Sequence, residues 1–156
     1  MFETEDEKVE FLSFLSEDLD GQDETVRPTF FGKFKGQTCR GDLSQAGSTK
    51  AMVYALKKMI AEKVIDNGFA FVAEAAMTRM NVKSKLSVDT LMEIPREMRP
   101  FTVDVIIVTF VHPKGEELWT REINSQRELI GEWKKMEGQM DGRFKDLYKN
   151  AKSKYN

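Results

Sequence analysis

The stretch Phe101–Ile123, FTVDVIIVTFVHPKGEELWTREI, constrains the fold more than any other part of the chain. Its first arm alternates: Phe101, Val103, Val105, Ile107 and Val111 point to one face, and Thr102, Asp104, Ile106, Val108, Phe110 and His112 point to the other. A strand with one face in water is polar on that face. Here the second face turns apolar from Ile106 to Phe110, so both faces are expected to be covered over part of their length. His112-Pro113-Lys114-Gly115 supplies the turn, proline fixing φ at its start and glycine accepting a positive φ. Leu118, Trp119 and Ile123 give the return arm its apolar contacts. Such a hairpin belongs in the interior of a sheet and requires something packed on each side.

The rest of the chain supplies candidates. Thr4-Glu5-Asp6-Glu7 has the form of a capping box, and acids crowd the turn that follows, where the helix dipole favours them. The spacing predicts a helix over about Glu5–Leu19 with Phe11, Leu12, Leu15 and Leu19 on one stripe, ending in the acidic linker Asp18–Thr25. Pro28–Phe34 and Gln37–Asp42 read as a weaker hairpin turning at Lys35-Gly36. Residues 50–65 predict a helix capped by Ser48 or Thr49, with Met52, Val53, Leu56, Met59, Ile60 and Val64 on a broad apolar face, closed by Asp66-Asn67-Gly68. Phe69–Thr78 reads as a strand whose alanines invite close packing, and Arg79–Pro100 as a long connection. Ser125-Gln126-Arg127-Glu128 is a second capping box. The residues after it, Leu129, Trp133, Met136, Met140, Phe144 and Leu147, predict a terminal helix, with a break near Gly138–Gly142 and a basic tail.

The expected order is α-β-β-α-β-β-β-α: an α+β fold with an antiparallel sheet of about five strands and helices packed on it. One domain suffices for 156 residues, with an N-terminal helix and linker over 1–25, a core over 26–124 and a C-terminal helix and tail over 125–156. The helix of residues 50–65 is the natural cover for the odd face of the central hairpin. Its even face has two candidate covers, the acidic N-terminal helix and the Trp133 helix, with a second copy of the chain as a third.

No apolar run approaches the ~20 residues of a membrane helix. MFETEDEKVE has neither the basic nor the apolar part of a secretory signal, and a single cysteine, Cys39, suits a reducing compartment, so a cytoplasmic location is expected. The net charge of −2 conceals a division: residues 1–24 hold ten acids against Lys8, a net −9, which leaves +7 on the remainder.

Familiar catalytic patterns find little support in the residues. His112 beside a turn and Cys39 in a weak strand do not suggest a nucleophile and its base, and one His with one Cys has no zinc-ligand spacing. GDLSQAGSTK at 41–50 has the letters of a phosphate loop in the wrong order. Arg40-Gly41-Asp42 matches an adhesion tripeptide by chance. Glu74 and Asp104, both within apolar strands, would share a face if their strands were neighbours; paired carboxylates do acid–base work or bind metal. The plainer expectation is that each marks a solvent-facing strand position or meets Arg79, Arg96, Arg99 or Arg121 in an ion pair. No catalytic residue, metal or cofactor is assigned.

Two binding readings remain. The first is a non-enzymatic interaction protein that meets a protein partner, or itself as an oligomer, through the acidic helix or a partly apolar sheet face. Its candidate residues are Phe11, Leu12, Leu15, Glu17, Asp18 and Trp133. The second is a nucleic-acid-binding accessory protein using Lys57, Lys58, Lys83, Lys85, Lys149 and Lys152, although no nucleic-acid reader motif accompanies them. The segment Val72-Ala73-Glu74-Ala75-Ala76-Met77, with a helix before it and an arginine-bearing loop and glycine-turned hairpin after it, resembles a diffuse group of small bacterial and phage α+β proteins of unknown function. Members of that group often carry tryptophan where Ala76 stands. The resemblance spans about half the chain and implies a bacterial or phage origin without implying an activity.

Overall fold

A computed structural model describes residues 2–34, 37–43, 47–61, 68–78, 102–113 and 115–136. Among them the fold is α+β: helices α1 (Glu5–Leu19) and α2 (Thr49–Ala61), and strands β1 (Thr29–Phe34), β2 (Gln37–Asp42), β3 (Phe69–Thr78), β4 (Thr102–His112), β5 (Gly115–Ile123) and β6 (Leu129–Lys135). The strands form one antiparallel sheet in the order β2-β1-β3-β4-β5-β6. No helix among the described residues is long and apolar enough to cross a membrane.

The predicted hairpin β4–β5 lies inside this sheet. β4 pairs with β3 on one side, Phe69 opposite Val111 through Thr78 opposite Thr102, and from Asp104 to His112 with β5 on the other. Its even face carries the larger of two core clusters. Ile106, Val108 and Phe110 are buried there with Ala70 and Val72 of β3, Phe31 of β1 and Ile123 of β5, under Leu12, Leu15 and Leu19 of α1. Phe2, just ahead of the helix, closes the end of this layer, with ring centroids 5.1 Å from Phe11 and 5.0 Å from Phe110.

On the opposite face α2 lays Met52, Leu56 and Ile60 over Phe30, Phe69, Phe71 and Val111. Among the described residues it therefore covers β1, β3 and the turn end of β4; the remainder of the helix expected over residues 50–65, and Phe101 at the start of the odd face, lie outside them. Phe30 and Phe71 are opposite each other in the register of β1 and β3 and give the helix a broad aromatic surface to cover. Ser48 caps α2, its Oγ accepting from the Ala51 amide at 3.1 Å.

Gly41 of β2 shows how tightly this layer is packed. It stands opposite Phe30, whose ring covers it so closely that a Cβ at position 41 would lie 2.0 Å from Phe30 Cε1. Phe30 is itself buried in the α2 cluster, so relief requires moving a core aromatic. Gly41→Ala is expected to lower stability by roughly 1–3 kcal/mol through overpacking, a loss readable in a urea unfolding curve with unchanged slope.

The predicted terminal helix is a strand where the structure describes it. Asn124 ends β5 and makes a tight hairpin: its Oδ1 accepts from the amides of Gln126 and Glu128 at 3.0 and 2.9 Å, and its own amide donates to the Glu128 carbonyl. Arg127 (φ 65°) turns the chain back. β6 then pairs with β5, and between the pairs Thr120–Lys134 and Glu122–Ile130 three residues of β6 face one of β5. Gly131 (φ 66°) lies within this bulge, a backbone conformation that glycine adopts without strain. The Lys35-Gly36 turn, the 79–100 connection, the Gly138–Gly142 break and the basic tail lie outside the described residues.

Candidate partner-binding face

α1 is joined to the sheet by three polar attachments in addition to its apolar stripe. At its first turns, Thr4 Oγ1 accepts from the Glu7 amide at 3.2 Å, as the capping box requires, and Glu7 Oε2 accepts from the Phe2 amide at 2.9 Å. One turn on, Lys8 Nζ meets Glu117 Oε2 of β5 at 3.0 Å. The same carboxylate also accepts from Trp119 Nε1 at 2.6 Å and pairs with Lys135 at 3.2 Å. Near the helix end, Ser16 Oγ accepts from Arg121 Nη1 at 3.0 Å and Trp133 Nε1 at 2.7 Å while donating to the Leu12 carbonyl at 2.8 Å. One small hydroxyl thereby ties α1 to β5 and β6.

The third attachment holds the linker after α1. Arg127 Nη2 donates to Glu74 Oε1 of β3 at 2.7 Å and to the Glu24 carbonyl at 2.7 Å, and its Nε donates to the Gln22 carbonyl at 3.1 Å. The Val26 amide reaches the same Glu74 oxygen at 3.4 Å, and Asp20 Oδ1 accepts from the Leu129 amide at 3.0 Å. The hydrogen bond that Arg127 donates to Glu74 does most to raise the Arg127 pKa above its ordinary value; burial opposes the rise, and the charges of Glu74 and Asp104 add to it.

These contacts answer the question posed by Glu74 and Asp104. Ala76 stands opposite Asp104 in the β3–β4 register, so the two carboxylates do share the α1 face. Glu74 pairs with Arg127, which sequence reasoning assigns to a helix; Arg121 donates to Ser16 instead, and Arg79, Arg96 and Arg99 lie outside the described residues. Cys39 and His112 project to opposite faces of the sheet: Cys39 packs against the α2 cluster, and His112 Nε2 lies 3.4 Å from Glu3 Oε1. No group of three His, Cys, Asp or Glu side chains suited to a metal occurs among the described residues.

The Glu117 carboxylate is pushed up by burial, but the hydrogen bonds from Lys8, Trp119 and Lys135 and the charge of Lys8 outweigh burial and hold it below its usual 4.5. A carboxyl depressed in the folded state contributes stability above the unfolded pKa and loses that contribution as pH falls through the folded one. Stability should therefore drop as pH falls below about 4.5. Glu117→Gln should flatten part of that fall in thermal melts recorded from pH 6 to pH 3.

The candidate residues divide between the inside and the outside of the chain. Leu12 and Leu15 are 2% and 1% exposed and Phe11 is half-buried against Phe31 and Phe110, so their apolar surface is committed to the sheet. This corrects their assignment to a partner. Trp133 is half-buried on a strand and bonded to Ser16, again an internal role. Asp18 is half-buried and lies 4.0 Å from Arg40, whose guanidinium stands over the Phe31 ring. Glu17 is exposed. Of the lysines, Lys57 is half-buried and Lys58 exposed on α2, and Lys83, Lys85, Lys149 and Lys152 lie outside the described residues.

What sequence reasoning missed is Phe14. It falls off the buried stripe and is 55% exposed, with Val9 at 47%, on a ridge that also carries Glu5, Asp6, Glu10, Ser13 and Glu17. The signal was present: an aromatic at the wrong phase of an otherwise regular stripe, with acids four residues before it and three after. No known family, curated protein or solved structure matches the chain.

Proposed function

We propose that this is a non-enzymatic interaction protein that presents the outer face of α1 to a protein partner. The observation that carries the reading is the exposed Phe14 between Glu10 and Glu17, on a helix whose other side is fixed to the sheet. An exposed aromatic on a rigid support is the kind of anchor that dominates binding energy, because little conformational freedom is lost when it enters a pocket. The surrounding carboxylates favour a basic partner surface and would speed its approach. The half-buried polar groups Glu74, Glu117 and Ser16 already serve α1 and its linker, which further supports a structural use of the sheet face.

The test is capture of a partner by the immobilised chain. Phe14→Ala should weaken capture about tenfold or more, as loss of an anchor does, while the melting temperature stays within a degree or two because the ring is exposed. Equal capture by the wild-type chain and by Phe14→Ala would count against this face. Salt-sensitive retention on DNA or RNA, unaffected by Phe14→Ala, would favour the nucleic-acid reading.

A further inference from the structure

We propose that the partner of this face is a second copy of the chain, docked through the outer face of its α2. The inference rests on the reading of α1 as a docking surface and supplies the other half of the contact. On α2, Lys50, Tyr54 and Lys58 are exposed and follow one another at intervals of four, so they form a single ridge. On α1, Glu10, Phe14 and Glu17 are exposed at intervals of four and three. One ridge therefore reads acid–aromatic–acid and the other base–aromatic–base, and each spans about 10–12 Å at 1.5 Å per residue. Laid side by side, the two aromatics meet between two oppositely charged pairs.

Within one molecule this meeting does not occur. α1 packs on the even face of β4 and α2 on the opposite face of the sheet, and each exposes its ridge away from the sheet. The division of charge favours the same arrangement between molecules, since residues 1–24 carry −9 and the remainder +7. Because one copy offers each ridge once, on opposite sides, the contact is head-to-tail. Association then continues past the dimer unless the rotation between copies closes a ring.

Sedimentation velocity on the full chain tests this. At ~50 mM salt the mean mass should rise with concentration from the micromolar range upward, past that of a dimer, and fall back toward the monomer at ~500 mM, where exposed charges are screened. Glu10→Lys/Glu17→Lys and Lys50→Glu/Lys58→Glu should each weaken self-association at least about tenfold, because each sets like charges against one another. An equimolar mixture of the two variants should associate again, since each then meets the complementary ridge of the other. A wild-type chain that stays monomeric at ~1 mM and low salt, association that survives both reversals, or a mixture no heavier than its components would overturn the proposal. A different protein captured through Phe14 by a chain that stays monomeric would overturn it too, while leaving the docking role of α1 intact.

Discussion

Leu15→Ala should remove about 2–5 kcal/mol of stability, the range seen when a buried leucine is cut back to a methyl group. Leu15 is 1% exposed and lies in the cluster that joins α1 to Val72, Ile106 and Val108. The loss should fall toward the upper end, because the floor of the cavity is a sheet held by pairing on both sides of β4 and has little freedom to collapse. Ser13→Ala, on the exposed side of the same helix, should change stability by less than about 0.5 kcal/mol. Denaturant unfolding of the two variants side by side gives the contrast directly. A loss below about 1 kcal/mol for Leu15→Ala would mean that the helix contributes little to the folded state.

Removing the Arg127 guanidinium should have an effect of similar size by a different route. Arg127→Met leaves the Glu74 carboxylate, 12% exposed, without its cation and frees two linker carbonyls. Breaking one side of a buried ion pair typically costs about 3–5 kcal/mol, and partial access of water here lowers the expectation to about 2–4. The cost is chiefly that of an uncompensated charge, so Arg127→Met/Glu74→Gln should recover at least half of the loss. If the double variant is as unstable as the two single losses added together, the pair is not the source of the effect.

Most of the architecture could be read from residue patterns, and the part that could not has a clear cause. α1 was legible because capping residues, first-turn acids and an apolar stripe all agreed, and the central hairpin because alternation and turn residues agreed. At Leu129–Lys135 two signals were degenerate: Leu129, Trp133 and Met136 fit a helical stripe, yet Leu129, Gly131 and Trp133 also fit one face of a strand. Ser125-Gln126-Arg127-Glu128 then looked like a cap. The deciding groups were the Asn124 side chain, which bonds two amides of the turn, and the positive φ of Arg127 and Gly131.

That one ambiguity also hid the polar framework of the candidate site. With Arg127 and Trp133 assigned to a helix, neither could be matched to Glu74 or to Ser16. The Lys8–Glu117 pair joins residues 109 apart in sequence, and no local pattern announces such a contact. The outward residues of α1 were overlooked for a simpler reason. The apolar stripe of a helix is the side that its own core claims first, so the residue to examine was the aromatic that breaks the stripe.

The central claim is that α1 is an integral layer of the fold, held by its stripe and its three attachments, with its acidic ridge fixed outward. Native-state hydrogen exchange tests this directly. The amides of Leu15, Ser16 and Leu19 should exchange only through the opening that also releases Ile106 and Val108, with matching free energies and matching denaturant dependence. Exchange of the α1 amides through a much smaller opening, while β4 stays protected, would contradict the account.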